Sequence, residues 1–268
     1  MPVGDRRSRF RELHGAADLF VMPNPWDVGS ARLLESFGFQ ALATTSAGFA
    51  LTLGRLDGEV TRDELVEHVA QLAAATNLPL NVDSERCFPD EAGGVEETVT
   101  LLAEAGAAGL SVEDYDPDAD RIEDVAVAAA RVALAAAAAH GLSEPMVLTA
   151  RTENHLHGVD DIDDTIARLT AYRDAGADVV YAPGLCDLGD ISRIVDEVGL
   201  PVNVLALPRV PSIAELASVG VRRVSTGSLL ATAAYGALRD GAAELLADGT
   251  SNYGKHGVTQ DELRGAFR

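Results

Sequence analysis

Short, almost unbroken apolar runs recur along the chain, and the longer stretches between them place apolar residues at helical spacing. Unbroken apolar runs are typical of parallel strands that are covered on both faces, whereas half-exposed strands alternate apolar and polar positions. The predicted strands are Leu19–Met22, Ala41–Ser46, Leu80–Asp83, Gly109–Val112, Met146–Ala150, Val179–Tyr181, Val202–Leu205 and Arg223–Thr226.

Start and stop signals predict helices between these strands. Thr61 and Glu64 form a capping box at the beginning of one helix. Four helices are predicted to stop at a glycine just before the next strand, namely at Gly38, Gly106, Gly176 and Gly220. Eight strand–helix units in about 250 residues predict an α/β fold, a (β/α)8 TIM barrel. We expect a single domain over residues 1–268, with a C-terminal helical extension from about residue 241.

A doubly wound open sheet is the alternative fold. That fold normally has a glycine-rich phosphate-binding turn after its first strand. The corresponding segment here, Pro23–Trp26, contains no glycine. The barrel is therefore the favoured prediction.

Acidic residues follow several of the predicted strands. Asp83 and Glu85 end the third strand, Glu113 ends the fourth, and Asp57 lies in the loop after the second. Strand ends of a barrel share one face, and the active site is built there. Carboxylate oxygens are the ligands that Mg²⁺ prefers, and Mn²⁺ accepts them as well. These four acids are therefore candidate metal ligands, although acids at strand ends are also common simply because they meet water.

Arg151 ends the fifth predicted strand beside these acids. An arginine can hold a carboxylate or an enolate oxygen through two hydrogen bonds. The backbone N–H groups of the small-residue turn Thr45, Ser46, Ala47 and Gly48 could bind a substrate carboxylate. Together these features predict stabilisation of an enolate, with Arg151, Glu113 and Asp57 as candidate catalytic residues.

Other residues near the strand ends could either take part in the site or serve only in packing or solvation. Trp26, Glu153 and Asn203 are candidate substrate-binding residues, although Trp26 could equally belong to the core. His157 and its neighbour His155 could act in proton transfer or simply be solvated. Cys87 lacks a nearby histidine in sequence, so packing is a simpler interpretation than nucleophilic catalysis.

Composition excludes several classes of protein. The net charge is −21, from 42 acidic and 21 basic residues, which argues against nucleic-acid binding. Hydrophobic residues make up 47% of the chain, but no uninterrupted apolar stretch is long enough to span a membrane, and the N-terminus does not read as a signal peptide. The two cysteines form no disulfide framework or metal motif, so a cytoplasmic location is expected.

Four segments together resemble the isocitrate lyase/phosphoenolpyruvate mutase superfamily: Asn24–Arg32, Thr44–Gly48, Val112–Asp114 and Thr149–Arg151. The resemblance extends from Asn24 to about Gly241. It implies a TIM barrel, Mg²⁺ or Mn²⁺, and an enolpyruvate-like intermediate. It maps the metal-shell acids onto Asp57, Asp83, Glu85 and Glu113, the electrophilic arginine onto Arg151, and the carboxylate-binding turn onto Thr45 to Gly48. It also implies a last helix exchanged between subunits of a homodimer or homotetramer.

The chain departs from this superfamily pattern at three places. The loop Asp114–Arg121 has neither the cysteine of the isocitrate and methylisocitrate lyases nor the lysine of phosphonate-processing relatives. Glu85 stands where an aspartate is usual, and Tyr181–Gly184 replaces a segment that carries a substrate-contacting glutamate in the lyases. This combination is similar to the oxaloacetate decarboxylase-like branch.

We therefore expect a Mg²⁺-dependent lyase or decarboxylase that cleaves a C–C bond of a small 2-oxo or 2-hydroxy dicarboxylate. One alternative is a phosphonopyruvate-type C–P bond mutase or hydrolase, which the shortage of Lys and Arg at the predicted mouth disfavours. A second alternative is a metabolite-binding barrel without catalytic activity.

Overall fold

The computed structural model describes residues 1–268. Eight strands form one parallel sheet, and two very short strands form a separate antiparallel hairpin. The sheet strands are β1 (Phe20–Met22), β2 (Leu42–Ala43), β3 (Leu80–Asp83), β4 (Gly109–Glu113), β7 (Val147–Arg151), β8 (Val179–Tyr181), β9 (Val202–Leu205) and β10 (Arg223–Ser225). The hairpin strands are β5 (Tyr115–Asp116) and β6 (Arg121–Ile122).

Eleven α-helices accompany the strands. They are α1 (Val3–Gly15), α2 (Val28–Ser36), α3 (Ser46–Thr52), α4 (Arg62–Ala75), α5 (Gly94–Glu104), α6 (Val125–His140), α7 (Ile162–Asp174), α8 (Leu188–Val198), α9 (Ile213–Ser218), α10 (Leu229–Asp248) and α11 (Gln260–Ala266). Single 3-10 turns lie at Asn154–Leu156 and Asn252–His256.

The strand order nearly closes the sheet on itself, with β1 and β2 at its two ends. The order is β1-β10-β9-β8-β7-β4-β3-β2, so the first strand pairs with the last. Between β1 and β2 a single backbone hydrogen bond remains, from the Ala43 N–H to the Pro23 carbonyl at 3.1 Å. A side chain adds a second link, because Asn24 Nδ2 donates to the Thr44 carbonyl at 2.7 Å. Asn24 Oδ1 also accepts from the amides of Thr226 and Gly227 beyond β10. We call this junction the seam; the predicted TIM barrel is confirmed as a nearly closed one.

The core has two layers because successive strand residues point to opposite faces. Val147 belongs to a cluster of 8 buried residues inside the barrel, together with Phe10 of α1. Its neighbour Leu148 belongs to the cluster of 41 buried residues between sheet and helices. The N-terminal helix α1, which the sequence indicated only as a short amphipathic opening, buries Arg6, Arg7, Phe10 and His14.

Two elements differ from the sequence prediction. The segment after β2, predicted as strand to Ser46 followed by a turn, becomes helix α3, because Thr45 caps it by accepting from the Gly48 amide at 3.2 Å. The predicted loop after β4 contains the β5–β6 hairpin. By contrast, Thr61 and Glu64 form the predicted capping box.

The long helix α10, which is followed only by a 3-10 turn and the short helix α11, runs unbroken past residue 241 and buries only Ala231 and Gly241. Leu238 is 67% exposed and Leu246 90% exposed. No helix combines the length and the apolar character that crossing a membrane would require.

Candidate active site

A cavity opens at the carboxyl ends of the strands and has two adjoining chambers. The inner chamber, about 170 Å³, reaches into the barrel. The outer chamber, about 200 Å³, is bordered by the β5–β6 hairpin. Four residues line both chambers: Ser46, Asp57, Arg151 and Leu156. The barrel therefore brings several of the predicted loops to one opening.

Arg151 stands among the acids at the end of β7. Its Nη1 lies 3.2 Å from Asp83 Oδ1 and 3.1 Å from Glu113 Oε2. Its Nε donates to Glu153, and its Cζ lies 5.5 Å from the centroid of the Tyr181 ring. Burial alone would lower the pKa of Arg151, but the surrounding carboxylates raise it well above its ordinary value. The guanidinium is thus a fixed cation.

Asp83 is oriented by its neighbours on β2 and α3. Its backbone N–H donates to Thr44 Oγ1 at 2.8 Å. Its Oδ2 accepts from the Ser46 amide at 3.2 Å and from Ser46 Oγ at 3.1 Å. One carboxylate oxygen therefore faces Arg151 and the other faces Ser46, which fixes the plane of the group.

The remaining acids are crowded. Burial, followed by the charges of Asp83 and Asp57, raises the pKa of Glu85 to about 7. Asp57 belongs to an exposed loop, yet desolvation and the Asp83 charge raise the pKa of its carboxyl. Burial raises the pKa of Glu113 well above its usual value, although Arg151 opposes the shift. The cavity thus holds more carboxyl groups than a single arginine can keep ionised.

The four predicted metal ligands face this cavity but do not form a finished ion cage. Asp83 and Glu113 converge on one nitrogen of Arg151, and Asp57 and Glu85 line the outer chamber. No three acidic, histidine or cysteine side chains are grouped so as to hold an ion. The donors are hard oxygens in excess over nearby cations, a set that suits a divalent ion bound partly through water.

The loop after β3 has an unusual backbone. Glu85, Cys87 and Phe88 all have positive φ, at 51°, 61° and 47°. L-residues adopt this region at a cost, and such positions cluster at functional sites. The Glu113 amide donates to the Glu85 carbonyl at 3.0 Å, which ties this loop to the end of β4.

The predicted substrate-binding turn is the first turn of α3. Thr45, Ser46 and Ala47 line the inner chamber, whereas Gly48 does not. A Cβ on Gly48 would lie 2.5 Å from Thr45 Cγ2 and 3.3 Å from Trp26 Cβ. Gly48 is therefore needed for packing, and Trp26, which lines neither chamber, packs against it.

The other candidates have distinct positions. Glu153 is buried, lines the outer chamber and accepts from Arg151. Asn203 lines the inner chamber, and both ends of its amide are engaged, by Arg223 Nε at 2.9 Å and by Ser225 Oγ at 3.0 Å. His157 borders the outer chamber and stacks on Tyr115 at 3.6 Å between ring centroids.

Two further residues lie away from the cavity. His155 lines neither chamber, and its Nε2 lies 3.1 Å from Thr165 Oγ1. Cys87 is fully buried in the apolar layer, and burial raises the pKa of its thiol to about 12. A protonated, inaccessible thiol is not a nucleophile.

Sequence reasoning missed the role of Asp114. This carboxylate is 1% exposed and accepts from Tyr172 Oη at 2.6 Å, Thr152 Oγ1 at 2.9 Å and the Glu153 amide at 2.8 Å. It therefore holds the chain directly after Arg151. The alternation of strand residues could have separated it from Glu113, since neighbours at a strand end point to opposite sides.

Arg223 was also missed as a distinctive residue. It is 1% exposed, lines the inner chamber, and donates to Asn203, His14 and Thr149 rather than to any carboxylate. Burial lowers the pKa of Arg223 to about 9. An arginine at the first position of a predicted barrel strand, rather than at its exposed carboxyl end, was the available signal.

Comparisons with known proteins agree on one group. Residues 10–246 match the family model described as phosphoenolpyruvate phosphomutase. The chain is 31% identical over 271 residues to an oxaloacetate decarboxylase of Paraburkholderia xenovorans, covering 96% of this chain and 88% of the other. A Burkholderia cenocepacia structure, named only by class as a lyase/mutase, superposes with a TM-score of 0.93 at 47% identity, covering 98% of this chain and 95% of that one.

A phosphonopyruvate hydrolase solved with oxalate and Mg²⁺ has a TM-score of 0.83 at 22% identity, covering 97% of this chain and 95% of that chain. At this identity the likeness concerns the fold.

Proposed function

The chain belongs to the phosphoenolpyruvate phosphomutase family, within the isocitrate lyase/phosphoenolpyruvate mutase superfamily of lyases and mutases, and from this premise we propose a specific reaction. The protein is a divalent-metal-dependent lyase or decarboxylase that breaks a C–C bond of a small 2-oxo or 2-hydroxy dicarboxylate. The observation that carries the proposal is the convergence of Asp83 and Glu113 on Arg151 Nη1, at the junction of the two chambers. Two carboxylates and a guanidinium at one point can hold an ion and an anionic oxygen side by side.

Asp83, Glu85, Glu113 and Asp57 would hold Mg²⁺ or Mn²⁺, directly and through water. The metal would polarise the substrate's oxygens and favour the enolate. Burial, followed for Asp57 by the Asp83 charge, raises the carboxyl pKa values of Asp57 and Glu113, and a bound cation would oppose both shifts. A protein of the same fold was solved with oxalate, an enolpyruvate-like dianion, together with Mg²⁺.

Arg151 would bind the developing enolate oxygen, and Ser46 with the Ala47 amide would orient the substrate carboxylate. All three residues line the inner chamber. Thr45 supports that turn as the helix cap, and Glu153 keeps the guanidinium oriented through its bond to Nε. Water would be excluded by the β5–β6 hairpin, whose Tyr115 and Pro117 border the outer chamber.

Decarboxylation of a 2-oxo dicarboxylate is favoured over isocitrate-type cleavage. The Asp114–Arg121 segment offers no cysteine to act as acid or base, and a relative at 31% identity is an oxaloacetate decarboxylase. The C–P alternative is less well supported, because Arg86, the other cation of the outer chamber, is held by Glu123 at 2.8 Å and Asp116 at 3.3 Å. A phosphonate would need free cations around it.

The test is pyruvate release from oxaloacetate and a 2-methylmalate-type acid, and formation of pyruvate or phosphoenolpyruvate from phosphonopyruvate, each with Mg²⁺ and with chelator. Mg²⁺-dependent pyruvate release from one of the carboxylic acids is the expected result. Product formation from phosphonopyruvate alone would replace the proposal with C–P chemistry. Inactivity on all three, with oxalate still bound, would indicate a metabolite-binding barrel.

We also propose that the chain acts as one domain whose C-terminal helical extension reaches a second subunit, giving a homodimer or homotetramer. The exposed leucines of α10 support this, because a largely uncovered apolar helix in a protein of this charge calls for a partner surface. We expect a small carboxylate as the only other partner, and a cytoplasmic location.

A further inference from the structure

We infer that Tyr181 donates the proton that converts the enolate intermediate into the 2-oxo acid product. The inference rests on the proposed function, and it supplies the acid that the segment after β4 does not. It also assigns a role to the buried Arg223.

Tyr181 ends β8 directly beside Arg151. It is 8% exposed, and it lines the inner chamber together with Arg151, Ser46 and Asp83. Its ring lies 5.5 Å from Arg151 Cζ, so the guanidinium that would hold the enolate oxygen rests on the tyrosine. An enolate bound to Arg151 and Ser46 would therefore have the phenol on the wall of the same small chamber.

The other proton carriers are placed less well. His155 lines neither chamber, and Cys87 is buried in the apolar layer outside the barrel. His157 is in the outer chamber, stacked against Tyr115. Asp57 and Asp83 would hold the ion in the proposed function. Tyr181 is the side chain of the inner chamber that is neutral, acidic enough to give up a proton, and free of a metal role.

The surroundings of Arg223 provide an independent reason to assign the proton transfer to Tyr181. A buried guanidinium without a carboxylate is costly, and proteins normally pair such charges. Its Nε donates to Asn203 Oδ1 at 2.9 Å, and Asn203 Nδ2 donates to Ser225 Oγ at 3.0 Å. Burial raises the pKa of Tyr181 to about 12, and first the Arg151 charge and then Ser225 oppose that rise.

A hydrogen-bonded chain thus runs from a lone cation to Ser225, which lines the inner chamber together with Tyr181. Because Ser225 Oγ accepts from Asn203, its hydroxyl hydrogen remains able to donate to a transient negative charge on the Tyr181 oxygen. When Tyr181 loses its proton, the buried cation gains a counter-charge inside the barrel. Arg223, Asn203 and Ser225 are positioning residues in this arrangement.

The step balances without a further reagent. Cleavage of the C–C bond leaves its electron pair in the enolate. The enolate carbon takes the phenol proton, so that a C–H bond forms, the O–H bond breaks, and the carbonyl is restored. The electron pair of the broken bond stays on the Tyr181 oxygen, which water entering after product release reprotonates.

The experiment compares wild type with Tyr181→Phe, which keeps the ring under Arg151 and removes only the hydroxyl. Three quantities are measured with Mg²⁺: hydrogen–deuterium exchange at the pyruvate methyl group by NMR in D₂O, CO₂ release from oxaloacetate, and oxalate binding by calorimetry. We expect exchange to fall about 100-fold, CO₂ release to fall much less, and the oxalate Kd to change by less than about 3-fold. Ser225→Ala should lower exchange by roughly 10-fold. As in Tyr181→Phe, exchange should fall more than CO₂ release, and oxalate binding should change least.

The outcomes separate the two proposals. Wild type that decarboxylates oxaloacetate but exchanges no methyl protons, or Tyr181→Phe that exchanges as wild type does, would overturn the role of Tyr181 alone. Equal losses of exchange, CO₂ release and oxalate binding in both variants would reduce Tyr181 to a structural residue. Wild type inactive in both assays would remove the proposed function, and the inference with it.

Discussion

Asp83 and Glu113, which end two hydrogen-bonded neighbouring strands, approach the same Nη1 atom of Arg151 at 3.2 and 3.1 Å. Two acids that would repel each other are thereby held at one point by a cation. The arrangement directs both carboxyl groups at the cavity, where their oxygens could bind a divalent ion.

Replacing Asp83 with Asn should weaken Mg²⁺ binding by on the order of 100-fold, because a charged oxygen ligand becomes a neutral one. Calorimetric titration of the apoprotein with MgCl₂ measures this. Asp118→Asn, a change on the exposed part of the β5–β6 hairpin, is the matched control and should bind Mg²⁺ as wild type does. Equal affinity in Asp83→Asn and wild type would contradict the proposal that Asp83 binds the metal.

Asp114→Asn should destabilise the fold by about 3 kcal/mol, since a buried carboxylate with several donors is replaced by a group that cannot accept from all of them. Tyr172 Oη, at 2.6 Å, and the Glu153 amide, at 2.8 Å, lose their charged acceptor. Urea unfolding measures the change. A loss below about 1 kcal/mol would mean that water or the asparagine amide oxygen accepts these hydrogen bonds in place of the carboxylate.

The protein should lose stability as the pH falls below the ordinary histidine range, in part through His14. Burial, followed by the Arg223 charge, lowers the pKa of His14 to about 3. Between pH 6.5 and about 3, His14 is protonated in the unfolded chain but not in the folded protein. The contribution of His14 to the free energy of unfolding is therefore complete above about pH 6.5 and falls by about 1.4 kcal/mol per pH unit below it. Urea unfolding at pH 7 and pH 5 should show this dependence reduced by about 2 kcal/mol in His14→Gln.

His68→Gln is the comparison variant: it should reduce the pH dependence of the free energy of unfolding in the same direction, because burial also lowers the pKa of His68, to about 4. An unchanged pH dependence in His14→Gln would mean that His14 is protonated in the folded protein.

Gly48→Ala should cost about 1–3 kcal/mol and raise the KM for substrate, because the added methyl group meets Thr45 Cγ2 at 2.5 Å and displaces the first turn of α3. Gly236→Ala is the matched control: it lies within helix α10 with nothing within 4 Å of the added atom. The control should be neutral or slightly stabilising. Thermal unfolding and steady-state kinetics decide, and equal behaviour of the two variants would contradict the packing argument.

Leu238→Asp with Leu246→Asp should convert an oligomer into a monomer, because both leucines present an uncovered apolar face on α10. Light scattering coupled to size exclusion gives the mass. Phe37→Asp, an exposed apolar residue outside α10 that is 74% accessible, should leave the mass unchanged. A wild-type monomer would refute the subunit proposal directly.

The sequence was sufficient for the barrel because its signals were local. The Leu80–Asp83 run, the capping box at Thr61 and the glycine stops each depend on a few neighbouring residues, and the structure has them in those places. Helix α3 escaped prediction because Ser46 to Thr52 is short and its cap, Thr45, also fitted a strand.

The site was predictable in composition but less so in geometry. Strand ends alone indicated that Asp83, Glu113 and Arg151 would meet, and they do. The buried partners of Asp114 and Arg223 come from strands and helices distant in sequence, such as Tyr172 and His14. No local pattern encodes such pairs, because they depend on how whole layers pack.

The seam gives the barrel a preferred line of opening. Elsewhere the strands are joined by continuous ladders, but β1 and β2 are linked by one backbone bond and by the amide of Asn24. Since Asn24 and Thr44 also line the inner chamber, a momentary parting of that joint would widen the substrate cavity from its side. The side chain of Asn24 would then limit how often the barrel opens at this joint. It would thereby also limit the size of the substituent that the cavity accepts beside the reacting carbon.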